Sequence, residues 1–126
     1  MSSNSLEIRD KTFKSADFSI TFDHEIDSVI HFEKKHFILL RIPSASNATD
    51  NIYAVGSNGQ ILWQIENPIV AFSISPEDPG YRYTSQSVYV SMVLENQKMI
   101  ATTFFADKYV VDINTGKLIS KKNGRW

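Results

Sequence analysis

The segment HFEKKHFILLRI (residues 31–42) returns in pattern as VLENQKMIATTF (residues 93–104), an offset of 62 (93 − 31). Further on, YAVGSNGQILW (53–63) returns as YVVDINTGKLIS (109–120), one residue longer. A repeat restricts a chain to like units that stack, because each unit must cover the apolar face of its neighbour. In each copy an apolar pair and an acidic residue lead into a polar turn and a second apolar strand. Then come a tyrosine, an apolar pair, a turn closed by Gly59 or Gly116, and a return strand. Each half therefore predicts a four-stranded antiparallel meander. Repeat 1 covers about residues 18–66, a loop 74–86, and repeat 2 about 87–122, within a single domain of 126 residues.

Local patterning agrees. Phe18, Ile20 and Phe22 alternate with Ser19 and Thr21, the period of a half-buried strand. The stretches 36–42, 51–56, 60–65, 87–94, 98–105, 108–112 and 117–122 are short and rich in β-branched and aromatic residues. Turn residues separate them: Ser57-Asn58-Gly59, Glu95-Asn96-Gln97 and Asn114-Thr115-Gly116. Ile26, Val29 and Ile30 have helical spacing. The repeat nevertheless makes this region a strand, because its counterpart Met92-Val93-Leu94 has strand character. Ile30, Phe32, Phe37 and Leu39 fall on one face of the first hairpin, and Val29, Ile38 and Leu40 on the other. Two apolar faces require cover on both sides. The predicted class is all-β: two four-stranded antiparallel meanders in a half-propeller or sandwich arrangement.

Tyr53, Ala54, Gly59, Leu62 and Trp63, and again Tyr109, Asp112, Thr115, Gly116 and Lys117, carry a resemblance to the outer hairpin of β-propeller blades of the quinoprotein type. In that repeat a Tyr-Ala-Leu-Asp run leads through a Thr-Gly turn to Lys-x-x-Trp. Here Gly56 replaces the Asp of the first copy and Ser120 the Trp of the second. Two blades do not close a propeller, which takes four to eight. The resemblance thus implies two sheets packed face to face, a half-propeller, or a ring of several chains.

Composition narrows the chemistry. The absence of cysteine excludes disulfides, thiolate catalysis and Cys-based metal sites. The N-terminal stretch has no apolar run of a signal peptide, and FILL at 37–40 is far short of the ~20 residues of a membrane helix. The expected location is the cytoplasm, and Asn47-Ala48-Thr49 reads as a loop rather than a glycosylation site. The net charge of −1 predicts no general affinity for nucleic acid or anionic membrane. That near-neutral total conceals an uneven distribution. Residues 16–33 hold Asp17, Asp23, Glu25, Asp27 and Glu33 with no Lys or Arg, whereas residues 108–126 are basic.

His31, His36 and Glu33, placed about a turn at Lys34-Lys35 with Glu33 opposite His36, offer ligand types that zinc accepts. No further acid or ligand spacing supports them, and the reading is of histidines beside a turn, with no metal. Asn114-Thr115-Gly116-Lys117 ends like a phosphate-binding loop but lacks its first glycine, and Leu118 stands where Ser or Thr is needed. No G-x-S-x-G elbow is present. Lys117, Lys121, Lys122, Arg125 and Trp126 form a basic strip that suits either nucleic-acid stacking or protection of a terminal strand edge, and the second reading is preferred. No catalytic residue and no cofactor are assigned.

The segment 75–86, SPEDPGYRYTSQ, joins the repeats, and loops of this length in compact domains are often functional. It holds Glu77, Asp78, Tyr81 and Tyr83, acids beside a residue type enriched in binding hot spots; a linker whose tyrosines pack back onto the sheets is the alternative. In size, charge and architecture the chain resembles the immunity proteins of bacterial toxin–immunity pairs, such as those of contact-dependent growth inhibition. The resemblance implies a protein-binding inhibitor, not an enzyme, that occludes the active site of a cognate basic toxin, with a nuclease as the expected class. Glu77, Asp78, Tyr81 and Tyr83, with Asp23, Glu25 and Asp27, are the expected contacts. The alternative is an oligomeric propeller-type scaffold or ligand-binding module.

Overall fold

The computed structural model describes residues 6–44, 46–85 and 88–122, and for Tyr83 the backbone alone. Three antiparallel sheets account for the structure. Sheet I is β1 (Glu7–Arg9), β2 (Thr12–Lys14) and β3 (Ser19–Thr21), in that order. Sheet II is β4 (Glu25–Phe32), β5 (Lys35–Arg41), β6 (Ile52–Gly56) and β7 (Ile61–Gln64). Sheet III is β8 (Tyr89–Glu95), β9 (Lys98–Thr103), β10 (Lys108–Val111) and β11 (Leu118–Lys122). Two single-turn helices, α1 (Pro68–Ala71) and α2 (Tyr81–Thr84), interrupt the connection from sheet II to sheet III. Sheets II and III are the two predicted meanders. Sheet I is an addition: the alternation at 18–22 marked one of its strands, but β1 and β2 have three residues each and leave no periodic signature.

The repeat extends to its irregularities, with a register one residue different from the sequence alignment. Glu33 (φ 57°) stands in the first tight turn, between paired Phe32 and Lys35, and Asn96 and Gln97 (φ 51° and 65°) form the second, between Glu95 and Lys98. The offset between hairpins is therefore 63 (96 − 33) instead of 62. The bulges obey the same offset: one lies between Ile26 and Ser28, the other between Tyr89 and Ser91. In the outer hairpins Val55 and Val111 both follow a register break. A one-residue shift exchanges the two faces of a strand. Phe37 is thus equivalent to Ile100, and Ile38 to Ala101.

Packing follows from that register. Phe37, Leu39, Ile52, Ala54, Trp63 and Ile65 of sheet II and its extension share a core with Tyr89, Met92, Met99, Ala101, Tyr109, Val111 and Leu118 of sheet III. The opposite face of sheet II, with Ile38, Leu40 and Val55, packs on Phe13 and Phe22. Sheet II is therefore covered on both faces, with the two predicted sets of side chains correctly separated. Equivalent turns close each interface. A Cβ on Gly116 (φ +77°) would lie 2.5 Å from the Trp63 ring, and one on Gly59 (φ +86°) 2.7 Å from Phe18. Both the left-handed backbone and the lack of space demand glycine there. Trp63 also donates from Nε1 to the Ile113 carbonyl at 3.0 Å, and the Leu118 N–H donates to Glu66 Oε1 at 3.0 Å.

Asn51 ties sheets II and III together. Its Nδ2 donates to the carbonyls of Leu40 (2.7 Å) and Tyr89 (2.8 Å), and its Oδ1 accepts from the Tyr89 N–H (2.8 Å). The residue is 2% exposed. Asn51→Ala leaves an N–H and two carbonyls without these partners, in a place water does not reach. The expected loss of stability is about 2–4 kcal/mol, to be read from the midpoint of urea unfolding.

The two ends of the stack are more polar than its interior. The outer face of sheet I carries Glu7, Arg9, Thr12, Lys14, Ser19 and Thr21, with the Thr12 and Thr21 hydroxyls 2.9 Å apart. The outer face of sheet III replaces Phe32, Leu39, Ile52 and Trp63 of sheet II by Glu95, Thr102, Lys108 and Ser120, around a central Val93, Ile100 and Val110.

Candidate protein-binding surface

The acidic residues fall into two separate groups. Glu25 and Asp27 project from β4 and converge on Arg41, at 3.7 and 3.1 Å. Asp27 is the bulged residue of that strand, while exposed Asp23 lies just before it; burial raises the Tyr53 phenol, and the charges of Asp23 and Asp50 add to the effect. Glu77 and Asp78 are exposed in a turn organised by Ser75. The Ser75 N–H donates to Asp78 Oδ2 at 2.8 Å, and the Ser75 hydroxyl donates to Glu77. The turn therefore presents both carboxylates in fixed positions. Tyr81, in α2, is half-buried, and the Tyr83 side chain lies outside the described residues, as do Arg125 and Trp126. The two groups have different partners, Arg41 for Glu25 and Asp27 and Ser75 for Glu77 and Asp78, and no bridging side chain links them among the described residues.

A different surface carries exposed apolar side chains. Phe104 is 71% exposed and meets Phe105 edge-on at 5.4 Å. With Ile42, Val88 and Val90 they line a cleft of about 610 Å³. A smaller hollow of about 240 Å³ shares Ile42, Val88 and Val90 and reaches Asp27 and Arg41. No sequence signal singled out this place, because Phe104 and Phe105 read as the end of an apolar strand. β9 in fact ends at Thr103, where the Thr103 N–H donates to Asp107 and the chain turns through Ala106 (φ 70°).

The histidines pair with each other rather than with Glu33. With the turn at Glu33-Lys34, one residue earlier than expected, His31 stands directly opposite His36 and their Nδ1 atoms are 2.7 Å apart. One imidazole thus donates to the other, under the rings of Phe13 and Phe18. Among the described residues no group of three or more His, Asp or Glu is placed to hold a metal. Burial and then the neighbouring His31 hold the His36 imidazole below its ordinary value of 6.5. Its contribution to stability is full above that pH and is lost as acid is added, because the unfolded chain takes up the proton first. His36→Gln is expected to flatten the loss of thermal stability between about pH 7 and pH 5.

Other shifted groups are explained by burial. Burial raises the Asp50 carboxyl, opposed by hydrogen bonds from Asn67 and Thr49. Burial, followed by the charge of Asp107, pushes the Tyr109 phenol up to about 12. Burial also raises the Tyr89 phenol, with Tyr109, Asp50 and Glu66 adding to the effect. Among the described residues the Tyr89 hydroxyl is the buried side-chain group without a hydrogen-bond partner. Tyr89→Phe removes that unsatisfied group and keeps the ring. It is expected to leave stability unchanged or raise it by up to about 1 kcal/mol in urea unfolding.

Three comparisons bear on this architecture. The chain belongs to the family described as Domain of unknown function (DUF7957), whose profile matches residues 3–123. No curated protein sequence matches it. Among solved structures it is similar to the computationally designed Ika8 protein, with a TM-score of 0.56 and 13% identity. The match covers 97% of this chain and 36% of that one, so the chain spans about a third of the designed protein's length. At this identity the likeness is one of fold. No helix among the described residues is long and apolar enough to cross a membrane.

Proposed function

We propose that this chain works by binding another protein, as an inhibitor of the immunity type that covers the active site of a basic toxin, in the cytoplasm of the cell that makes it. One observation carries the reading. Val90, Phe104 and Phe105 are held at the solvent boundary by the ends of two neighbouring strands, around a cleft of about 610 Å³. Exposed apolar clusters of this kind mark contact surfaces. The acids supply the specificity. Asp27 lines the hollow beside the apolar cluster, with Glu25 joined to it through Arg41, and Glu77 and Asp78 form a second anionic projection. A toxin that acts on nucleic acid must present Lys or Arg to phosphates, and those groups are the complement of such acids.

The mechanism is steric and electrostatic. The acids draw a basic active site toward the chain and the apolar cluster holds it. Affinity capture from source-cell extract tests this: the reading expects a stoichiometric basic partner whose activity is lost when the chain is added back. An active partner that the chain does not silence, or no partner at all, removes the inhibitor reading. Glu77→Gln with Asp78→Asn removes two charges, while the amide oxygen introduced at position 78 still accepts from the Ser75 N–H. The double variant is expected to slow association about three- to tenfold at low salt and to converge on the wild type at high salt. A rate unchanged at low salt takes this turn out of the interface.

A further inference from the structure

Edge strands expose unpaired backbone groups, and proteins guard them with charge, bulges or short length. In sheet I the edges β1 and β3 have three residues each, and β1 carries Glu7 and Arg9. In sheet II, β4 has Glu25 and Asp27, and β7 has four residues. In sheet III, β11 has Lys121 and Lys122. β8 is different. It is seven residues long and an edge of its sheet; its bulge lies at one end, between Tyr89 and Ser91, and beyond it Ser91 to Leu94 run regular and uncharged, with Val90 and Val93 about half exposed.

The hydrogen-bond alternation shows which groups β8 offers. The Phe104 N–H donates to the Val88 carbonyl, so the next residue, Tyr89, points its N–H and C=O away from β9. Both of those groups are taken by the Asn51 side chain, which occupies the place of a further strand. At the other end the left-handed pair Asn96-Gln97 makes Glu95 and Lys98 a hydrogen-bonded pair. Counting back from Glu95, Met92 and Leu94 direct their N–H and C=O groups outward. Asn51 thus begins a strand position that nothing among the described residues continues. Beside its Val90 end lie the Phe104–Phe105 cleft on one side and Asp27 on the other.

We propose that β8 receives an extended segment of the partner protein as a fifth strand of sheet III, with an apolar side chain in the Phe104–Phe105 cleft and a Lys or Arg against Asp27. The inference rests on the protein-binding reading above and specifies its geometry. Backbone pairing supplies the affinity in such strand addition, and the flanking pockets supply the choice of sequence. Charge selects the occupant. Glu25 and Asp27 together exceed Arg41 by one negative charge, which a basic residue neutralises. An antiparallel second copy would instead bring its Glu95, already paired with Lys122 at 3.8 Å, toward the Asp27 end and supply no free cation to Asp27.

The test uses the full chain and three synthetic peptides: acetyl-KVTVTV-amide, its EVTVTV counterpart, and the first peptide N-methylated at alternate residues. The lysine peptide is expected to bind and to shift the Met92 and Leu94 amide resonances. The glutamate peptide should bind several-fold more weakly and the N-methylated one not at all. Val93→Lys, at a half-exposed position, should weaken the lysine peptide about tenfold, and Phe104→Ser should weaken it with the amide spectrum otherwise preserved. No binding at millimolar peptide overturns the proposal, as does binding indifferent to N-methylation and to Val93→Lys. A dimer of the chain that Val93→Lys dissolves overturns it in favour of self-pairing. A captured partner that binds Val93→Lys and Phe104→Ser as it binds wild type defeats the strand geometry and leaves the inhibitor reading intact. Peptide binding with no capturable partner defeats the inhibitor reading alone.

Discussion

The structure depends on how sheets II and III are joined, and Asn51 is the tightest part of that joint. A four-stranded sheet with one apolar face is not stable unless the face is covered. Apolar contact alone does not fix how one sheet slides over another. Three hydrogen bonds from one side chain, at 2.7–2.8 Å, do. Trp63 with Gly116 holds the opposite edge of the same interface. Between these two points the Phe37, Met99, Tyr109 and Val111 side chains fill the core. The joint is therefore polar at one margin, aromatic at the other, and aliphatic and aromatic between.

Much of this was legible in the sequence because its signals are local. The β-branched and aromatic runs, the Gly59 and Gly116 turns and the assignment of residues 29–32 to a strand all correspond to elements. So does the division of Ile30, Phe32, Phe37 and Leu39 from Val29, Ile38 and Leu40. What failed was register. Matching Glu33 to Glu95 is the natural alignment of side chains, but Glu33 enters the turn while Glu95 stays in its strand. Backbone conformation is indifferent to that likeness: Glu33 takes φ 57° in its turn, whereas Glu95 is the last residue of β8. The same slip placed Glu33, instead of His31, opposite His36. β1 and β2 of sheet I escaped notice because three-residue strands carry too few residues to show a period, whereas the alternation at 18–22 did mark β3.

The candidate site was less legible. Glu77 and Asp78 are exposed and rigidly presented, as a binding loop requires, yet their surroundings are polar. The apolar cleft depends on where β9 stops, and the Thr103–Asp107 turn that stops it has no glycine or proline to announce it. The β8 edge is a property of sheet order, which becomes visible only when the strands are placed side by side.

The polar outer faces have a consequence for growth of the architecture. Sheet II presents Trp63, Phe32, Leu39 and Ile52 to its neighbour, while sheet III presents Ser120, Glu95, Thr102 and Lys108 at the matching places. The stack is thus terminated by sequence at each end. A gene fusion that joined two copies of this chain in tandem would produce two beads on a string, because the Thr12–Thr21 face is polar and the Thr102–Lys108 face offers only a small apolar centre, Val93, Ile100 and Val110, inside a rim of charged and hydroxyl side chains.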